Sequence, residues 1–259
     1  SYVIKMTDLA GNETTTASAD SNCLVDTTDP SVTADTLTVV SNNDDDADDV
    51  NLAIEDDVVT LTFTASEELH GTPDHNTVVF TVGDGDAKTA VDLVKTTAAD
   101  DGHTYEASFT IEAGDNGLVS YVIKMTDLAG NEITNASADS NCTVDTTAPL
   151  IKEDGEGAEI ITVLSNNDDD ADGSNLAIKD DVVTLTFTAS EELHGTPDHN
   201  TVVFTVGDGD AKTAVNLAHG AANGTDEYEA SFTVAAGDNG VVSYVIKMTD
   251  LAGNETTTA

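Results

Sequence analysis

Asn166–Asn175 reads Asn-Asn-Asp-Asp-Asp-Ala-Asp-Gly-Ser-Asn. Asp168, Asp170 and Asp172 place carboxylates at every second position, ahead of Gly173, which relieves a tight turn. Alternating carboxylates on a tight loop can converge on one hard cation, and calcium takes about six to eight oxygens of this kind. An earlier copy, Asn42–Asn51, keeps Asp44, Asp46 and Asp48 but has Asp49 where the glycine would sit. No Glu follows at the EF-hand spacing and no helical pattern flanks either loop. The reading is therefore a calcium loop on a β scaffold. A solvated acidic loop is the plainer alternative. Five Asp within residues 44–49 would repel one another strongly without a cation, and that favours calcium.

A second candidate is Thr-Asp-Leu-Ala-Gly-Asn-Glu, which occurs three times. It brings Asp8 and Asn12, Asp127 and Asn131, and Asp250 and Asn254 into turns between strands. Turn chemistry alone explains the pattern: Asp caps, Gly takes a positive φ and Asn bonds locally. Calcium is the competing reading. If the loop faces a junction, Asp145 of the following linker or Asp154 beyond it would complete the shell. A cation there would fix the angle between domains. Asp84-Gly85 within Gly83–Asp86, repeated at Gly207–Asp210, is explained by a hairpin turn. Asp115-Asn116 and Asp238-Asn239 read the same way. His70 and His75, repeated as His194 and His199, lack a Cys or Glu at zinc-site spacing and read as surface loop. No nucleophile–base pair and no phosphate-cradling glycine loop emerges, so the chain reads as non-enzymatic.

The wider composition agrees with cation chemistry. Across 259 residues, 35 Asp and 15 Glu face eight Lys and no Arg, for a formal charge of −42. Such a surface repels nucleic acid phosphates and anionic membranes. A halophilic surface would also be acidic. The excess of Asp over Glu, and its clustering in loops, favours calcium. No apolar stretch approaches the ~20 residues of a membrane span. Sequons stand at Asn12, Asn135, Asn141, Asn223 and Asn254.

Those loops need a scaffold, and the scaffold repeats. Residues 56–91 recur unchanged at 180–215, and Ser-Tyr-Val-Ile-Lys-Met-Thr-Asp-Leu-Ala-Gly-Asn-Glu starts at Ser1, Ser120 and Ser243. A period of about 120 residues suits an independently folding domain rather than a solenoid unit. Pro30 and Pro149 close β-prone stretches and mark boundaries. The expected organisation is 1–29 as the last strands of a preceding copy, 30–148 as a complete repeat, and 149–259 as a repeat lacking its last strand. A cut through a continuous chain explains that lack; residues 18–29 of another copy, added as a strand, would also meet it. Cys23 and Cys142 share one repeat position and cannot bridge, because equivalent points of successive domains lie beyond disulfide reach. A buried thiol is the plain reading and an inter-chain disulfide the sharper one.

Period-two alternation dominates. Val59, Leu61, Phe63 and Ala65 alternate with threonines. Tyr105, Ala107, Phe109 and Ile111, and then Val119, Tyr121, Ile123 and Met125, repeat the pattern. Further strands are expected at 36–41, 77–82, 87–94 and 139–146. About seven short antiparallel strands per repeat make the fold class all-β, as tandem immunoglobulin-like β-sandwich domains.

Taken together, Ser-Asn-Asn ahead of DDVVTLTFTASEEL, Tyr-Glu-Ala-Ser-Phe-Thr, AGDNG, TDLAGN and VDTTAP resemble the bacterial Ig-like tandem repeats of large secreted surface proteins. These include biofilm-associated and RTX-type adhesin stalks and some surface-layer proteins. The resemblance implies an extracellular, cell-surface array stiffened by calcium ions. Its partners would be neighbouring identical repeats, and a glycan or surface ligand would be bound elsewhere in the parent protein. A self-assembling surface-layer or fibre subunit, linked by strand exchange or inter-chain contacts, is the alternative function.

Overall fold

The computed structural model describes residues 2–16, 23–44, 51–72, 74–96, 102–136, 140–168, 175–196, 198–209, 211–219 and 226–258. Strands β1 (Lys5–Thr7) and β2 (Glu13–Thr15) form an exposed antiparallel hairpin. Two β-sandwich units with separate cores follow. Among the described residues no helix is long and apolar enough to cross a membrane.

The first unit contains β3 (Thr38–Ser41), β4 (Leu52–Ala53), β5 (Val58–Thr64), β6 (Thr77–Val82), β7 (Val91–Asp92) and β8 (Val94–Lys95). It continues with β9 (Thr104–Thr110), β10 (Gly117–Thr126), β11 (Glu132–Ala136) and β12 (Thr143–Val144). One sheet runs β3-β5-β9-β8. The other runs β4-β12-β10-β6-β7, with β11 also paired to β10. The architecture is an immunoglobulin-like β-sandwich.

Alternation sets the layers. Val59, Leu61 and Phe63 of β5 are buried while Thr60, Thr62 and Thr64 lie half-buried on the other face. β9 does the same with Tyr105, Ala107 and Phe109, and β10 with Val119, Tyr121, Ile123 and Met125. Phe80 of one sheet stacks on Phe109 of the other at 4.5 Å between centroids. Each fully buried Phe, Leu or Val contributes about 1.5–3 kcal/mol relative to exposure, and this burial joins the two sheets. The Tyr105 hydroxyl accepts a hydrogen bond from the Leu69 amide at 2.9 Å, which ties the 66–70 segment to the core.

The second unit has β13 (Ile161–Ser165), β14 (Val182–Thr188), β15 (Thr201–Val206), β16 (Val215–Asn216), β17 (Ala218–His219), β18 (Glu227–Thr233), β19 (Val242–Thr249) and β20 (Glu255–Thr258). Its sheets run β13-β14-β18-β17 and β16-β15-β19-β20. Phe187, Phe204, Leu185, Ile246 and Met248 fill its core. Among the described residues, nothing corresponds to β4 or β12.

The tightest constraint is backbone on backbone. Gly83 (φ +54°) and Gly117 (φ +115°) cross so closely that a Cβ on Gly83 would lie 2.3 Å from the Asn116 carbonyl oxygen. Gly207 and Gly240 repeat the crossing. Glycine is required here by space as well as by φ.

Candidate acidic junction sites

Each unit is entered by a linker that lies against two of its own loops. In the first, Ser31 and Ser66 exchange bonds: the Ser31 amide donates to Ser66 Oγ at 3.0 Å, and the Ser66 amide to the Ser31 carbonyl at 2.8 Å. Three residues on, Leu69 bridges to Asp127, and the His70 amide donates to the Thr126 carbonyl. Linker, Ser66–Leu69 segment and Asp127 turn are thereby held side by side. The second unit copies this with Leu150 and Ser190, then Leu193 and Asp250.

The result is two acidic trios at equivalent places. Asp26, Glu67 and Asp127 form one, and Asp145, Glu191 and Asp250 the other. In each, one oxygen from every residue lies within 4.8 Å of the others. The turn aspartates are buried, at 0% exposure for Asp127 and 1% for Asp250. Two charges 4.8 Å apart repel by about 0.9 kcal/mol in water and about 3.5 kcal/mol at an effective dielectric of 20. Hydrogen-bond donors, protons or a cation would each offset that repulsion.

The turn chemistry is fully realised. Asp127 Oδ1 accepts the amides of Ala129, Gly130 and Asn131 at 2.7–2.9 Å, and Oδ2 accepts Asn131 Nδ2 at 2.7 Å. Asp250 does the same with Ala252, Gly253 and Asn254. Asp8 and Asn12 keep the motif in the β1–β2 hairpin, where the Asn12 bonds hold the Asp8 carboxyl below its ordinary value. Among the described residues no further acids gather around Asp8. An anionic oxygen has lone pairs beyond those used by Asn, so stapling the turn and facing a cation are compatible.

The two trios differ electrostatically. At Asp127 burial pushes the pKa up, but the Asn131 side chain and the turn amides outweigh it, and the carboxyl is held below its ordinary value. At Asp250 burial dominates, aided by the charge of Asp145, and the carboxyl is raised. The reason is packing between units. Asn43 Nδ2 of the first unit donates to the Ala252 carbonyl at 2.7 Å, and Asn254 Nδ2 donates to the Asp145 carbonyl at 2.9 Å. Ala252 is buried while its counterpart Ala129 is exposed. Burial, Asp250 and Asp145 together push Glu191 up to about 7. Glu67 is also raised, by burial and then by Asp26 and Asp127.

The structure thus places Asp145 beside Asp250 of the unit it enters, not beside Asp127 of the unit it leaves. The Asp127 turn faces the preceding linker, so the partner is Asp26. Asp154 instead staples its own turn, Oδ1 accepting the amides of Glu156 and Ala158. Glu67, Glu191 and Asp26 were not anticipated from the sequence. Of the Asp-run candidates, Asp44 and Asp168 are exposed, and Asp46, Asp48, Asp170 and Asp172 lie outside the described residues. Asp115 and Asp238 are taken by Lys88 and Lys212, at 2.8 and 2.6 Å. His70 stacks on His75, and His194 on His199.

No protein-family model and no curated protein matches the chain. Among solved structures, a marsupial T cell receptor is 10% identical with a TM-score of 0.41, covering 86% of this chain and 70% of that one. A purple acid phosphatase, PPD1 from yellow lupin seeds, is 9% identical with a TM-score of 0.25, covering 86% of this chain and 40% of that one. Likenesses at this level add nothing to the site.

The cysteines part company. Cys142 is buried, and burial followed by the charge of Asp57 pushes its thiol up to about 11, so it is inert in the folded state. Cys23 is exposed.

Proposed function

We propose that this chain is part of an extracellular structural array: a cell-surface adhesin stalk or filament in which calcium bound at unit junctions sets the angle between successive sandwiches. The observation that carries the reading is the pair of acidic trios. Each draws one carboxylate from the linker and two from the unit that the linker enters. A divalent ion held by all three would clamp linker to unit. Carboxylate oxygens are the ligands calcium prefers, and positions beyond three are open to water and backbone carbonyls. Removing ion and charge balance together would leave close carboxylates to repel and the linker to swing.

The chain acts mechanically in this reading, and its ions stabilise it by mass action. Small-angle scattering in physiological salt tests it. Millimolar calcium should lengthen and stiffen the particle relative to chelator. Superimposable curves would overturn the proposal.

A further inference from the structure

We infer that the histidine loop of each unit, residues 70–76 and 194–200, is an acid-opened clasp that holds the buried turn aspartate beside it in place. What the clasp governs rests on the calcium reading; the clasp itself does not.

Thr126 immediately precedes Asp127 and is buried with it. Its amide donates to Asn76 Oδ1 at 2.7 Å, and its hydroxyl to the His75 carbonyl at 2.9 Å. Its carbonyl accepts the His70 amide at 2.8 Å. Asn76 is itself buried, and its Nδ2 donates to the His70 carbonyl at 2.6 Å, closing the loop on itself. Breaking either Asn76 bond would strand a buried polar group. The second unit repeats the arrangement. Thr249 donates to Asn200 Oδ1 at 2.7 Å and to the His199 carbonyl at 3.0 Å, and it accepts the His194 amide at 2.8 Å. Asn200 Nδ2 donates to the His194 carbonyl at 2.7 Å. The residue that orients each turn aspartate is thus held from the histidine loop.

A pair of imidazoles closes that loop. The His70 and His75 rings stack with centroids 4.2 Å apart, and those of His194 and His199 with centroids 4.1 Å apart. The Thr72 amide donates to His70 Nδ1 at 3.2 Å, and the Thr196 amide to His194 Nδ1 at 3.0 Å. Such a bond needs a lone pair on Nδ1, so the closed loop uses the neutral ring with its proton on Nε2. A neutral imidazole has one lone pair of this kind. The ring therefore cannot serve the Thr72 amide and a metal ion together.

Proton uptake reverses both contacts. Imidazole ordinarily takes its proton between about pH 8 and 5. A proton on Nδ1 turns the acceptor into a donor that meets the Thr72 amide head on. Charge on both rings sets two cations 4.2 Å apart. The charged groups on the surrounding elements are Asp74 of the loop, Asp92 of β7, and Lys124 of β10 with its partner Glu132. Glu67 and Glu68 precede the loop, and Asp127 follows Thr126. Asp92 Oδ1 already accepts the Asp74 amide at 3.1 Å. With the stack lost, Asn76 and the His75 carbonyl release Thr126, and the Asp127 turn loses its support.

Hydrogen exchange of the 259-residue chain, in chelator at pH 7.5 and 5.0, tests the clasp. After correction for intrinsic rates, protection of the Thr126 and Thr249 amides should fall at least tenfold at pH 5.0, while β5–β9 amides keep theirs. The midpoint of the loss should coincide with the ring titration of the histidine pairs followed by NMR. The His70→Asn, His75→Phe variant supplies an acceptor that takes no proton and a ring that stays neutral. In it Thr126 should keep its protection at pH 5.0, while Thr249 of the same molecule still loses it. Equal protection of wild type at both pH values overturns the inference. So does a loss whose midpoint departs from the ring titration, or one that the variant shares, since carboxylates would then be responsible. Exchange is read without calcium, so a chain that binds no calcium would fail the function proposed above and leave this result standing.

Discussion

Replacing Glu191 with Gln should change the sign of its effect with calcium. Without a divalent ion, burial and then the Asp250 and Asp145 carboxylates, within 4.8 Å, disfavour the charged form of Glu191. Its rise from 4.5 to about 7 would be worth about 3.4 kcal/mol in a fully enclosed site. The group is partly open to solvent, so screening brings the expectation to about 1–2 kcal/mol. At pH 8, in chelator, Glu191→Gln should raise the melting temperature of the second unit by roughly 4–10 °C. In saturating calcium the variant lacks one anionic ligand. A tenfold weaker site forfeits about 1.4 kcal/mol of linked stability, so the calcium-dependent rise should shrink. Differential scanning calorimetry with and without calcium reads both effects. A variant that melts below wild type in chelator, or gains as much from calcium as wild type, refutes the reasoning.

Further expectations follow from the same geometry. Because the folded pKa of Glu191 is raised, its contribution to stability is most favourable below about 4.5, falls as pH rises to about 7 and is flat above; chelator-treated Glu191→Gln should therefore gain on wild type across that window, as urea titrations at several pH values will show. Gly83→Ala would drive a Cβ to 2.3 Å from the Asn116 oxygen and should cost about 2 kcal/mol or more, read as a lower urea midpoint with unchanged slope. Tyr105→Phe removes the acceptor of the buried Leu69 amide and should cost about 1–3 kcal/mol, while leaving the core aromatic contact with Phe63.

The strands were legible wherever one face meets the core and the other meets water. Val59-Thr60-Leu61-Thr62-Phe63 can sit only one way in a sandwich, and β9 and β10 follow the same rule. β4 was not legible. Leu52–Ala53 is two residues long, and it becomes a strand only because β12 lies beside it; the identical Leu176–Ala177 does not. The expected strand at 139–146 appears as β12 over Thr143–Val144, and the one at 87–94 divides into β7 and β8.

The candidate site was half legible. The turn aspartates stood out through repetition, but their partners did not. Glu67 looks like any exposed acid after a strand, and only the Leu69–Asp127 bridge reveals that it faces the turn. Choosing between Asp26 and Asp145 as partner of Asp127 required knowing which end of the sandwich carries the turn, and local spacing holds no such information. The difference between Asp127 and Asp250 lies further out of reach, since it arises from Asn43 and its neighbours covering one loop and not the other.

Calcium titration calorimetry on the wild-type chain and on the Glu67→Gln, Glu191→Gln double variant, in physiological salt at pH 8, tests the junction sites most directly. Both proteins retain the Asp-rich loops, so those contribute equally. The wild type should show additional ions bound, one for each trio, that the double variant lacks. Identical isotherms would contradict the account.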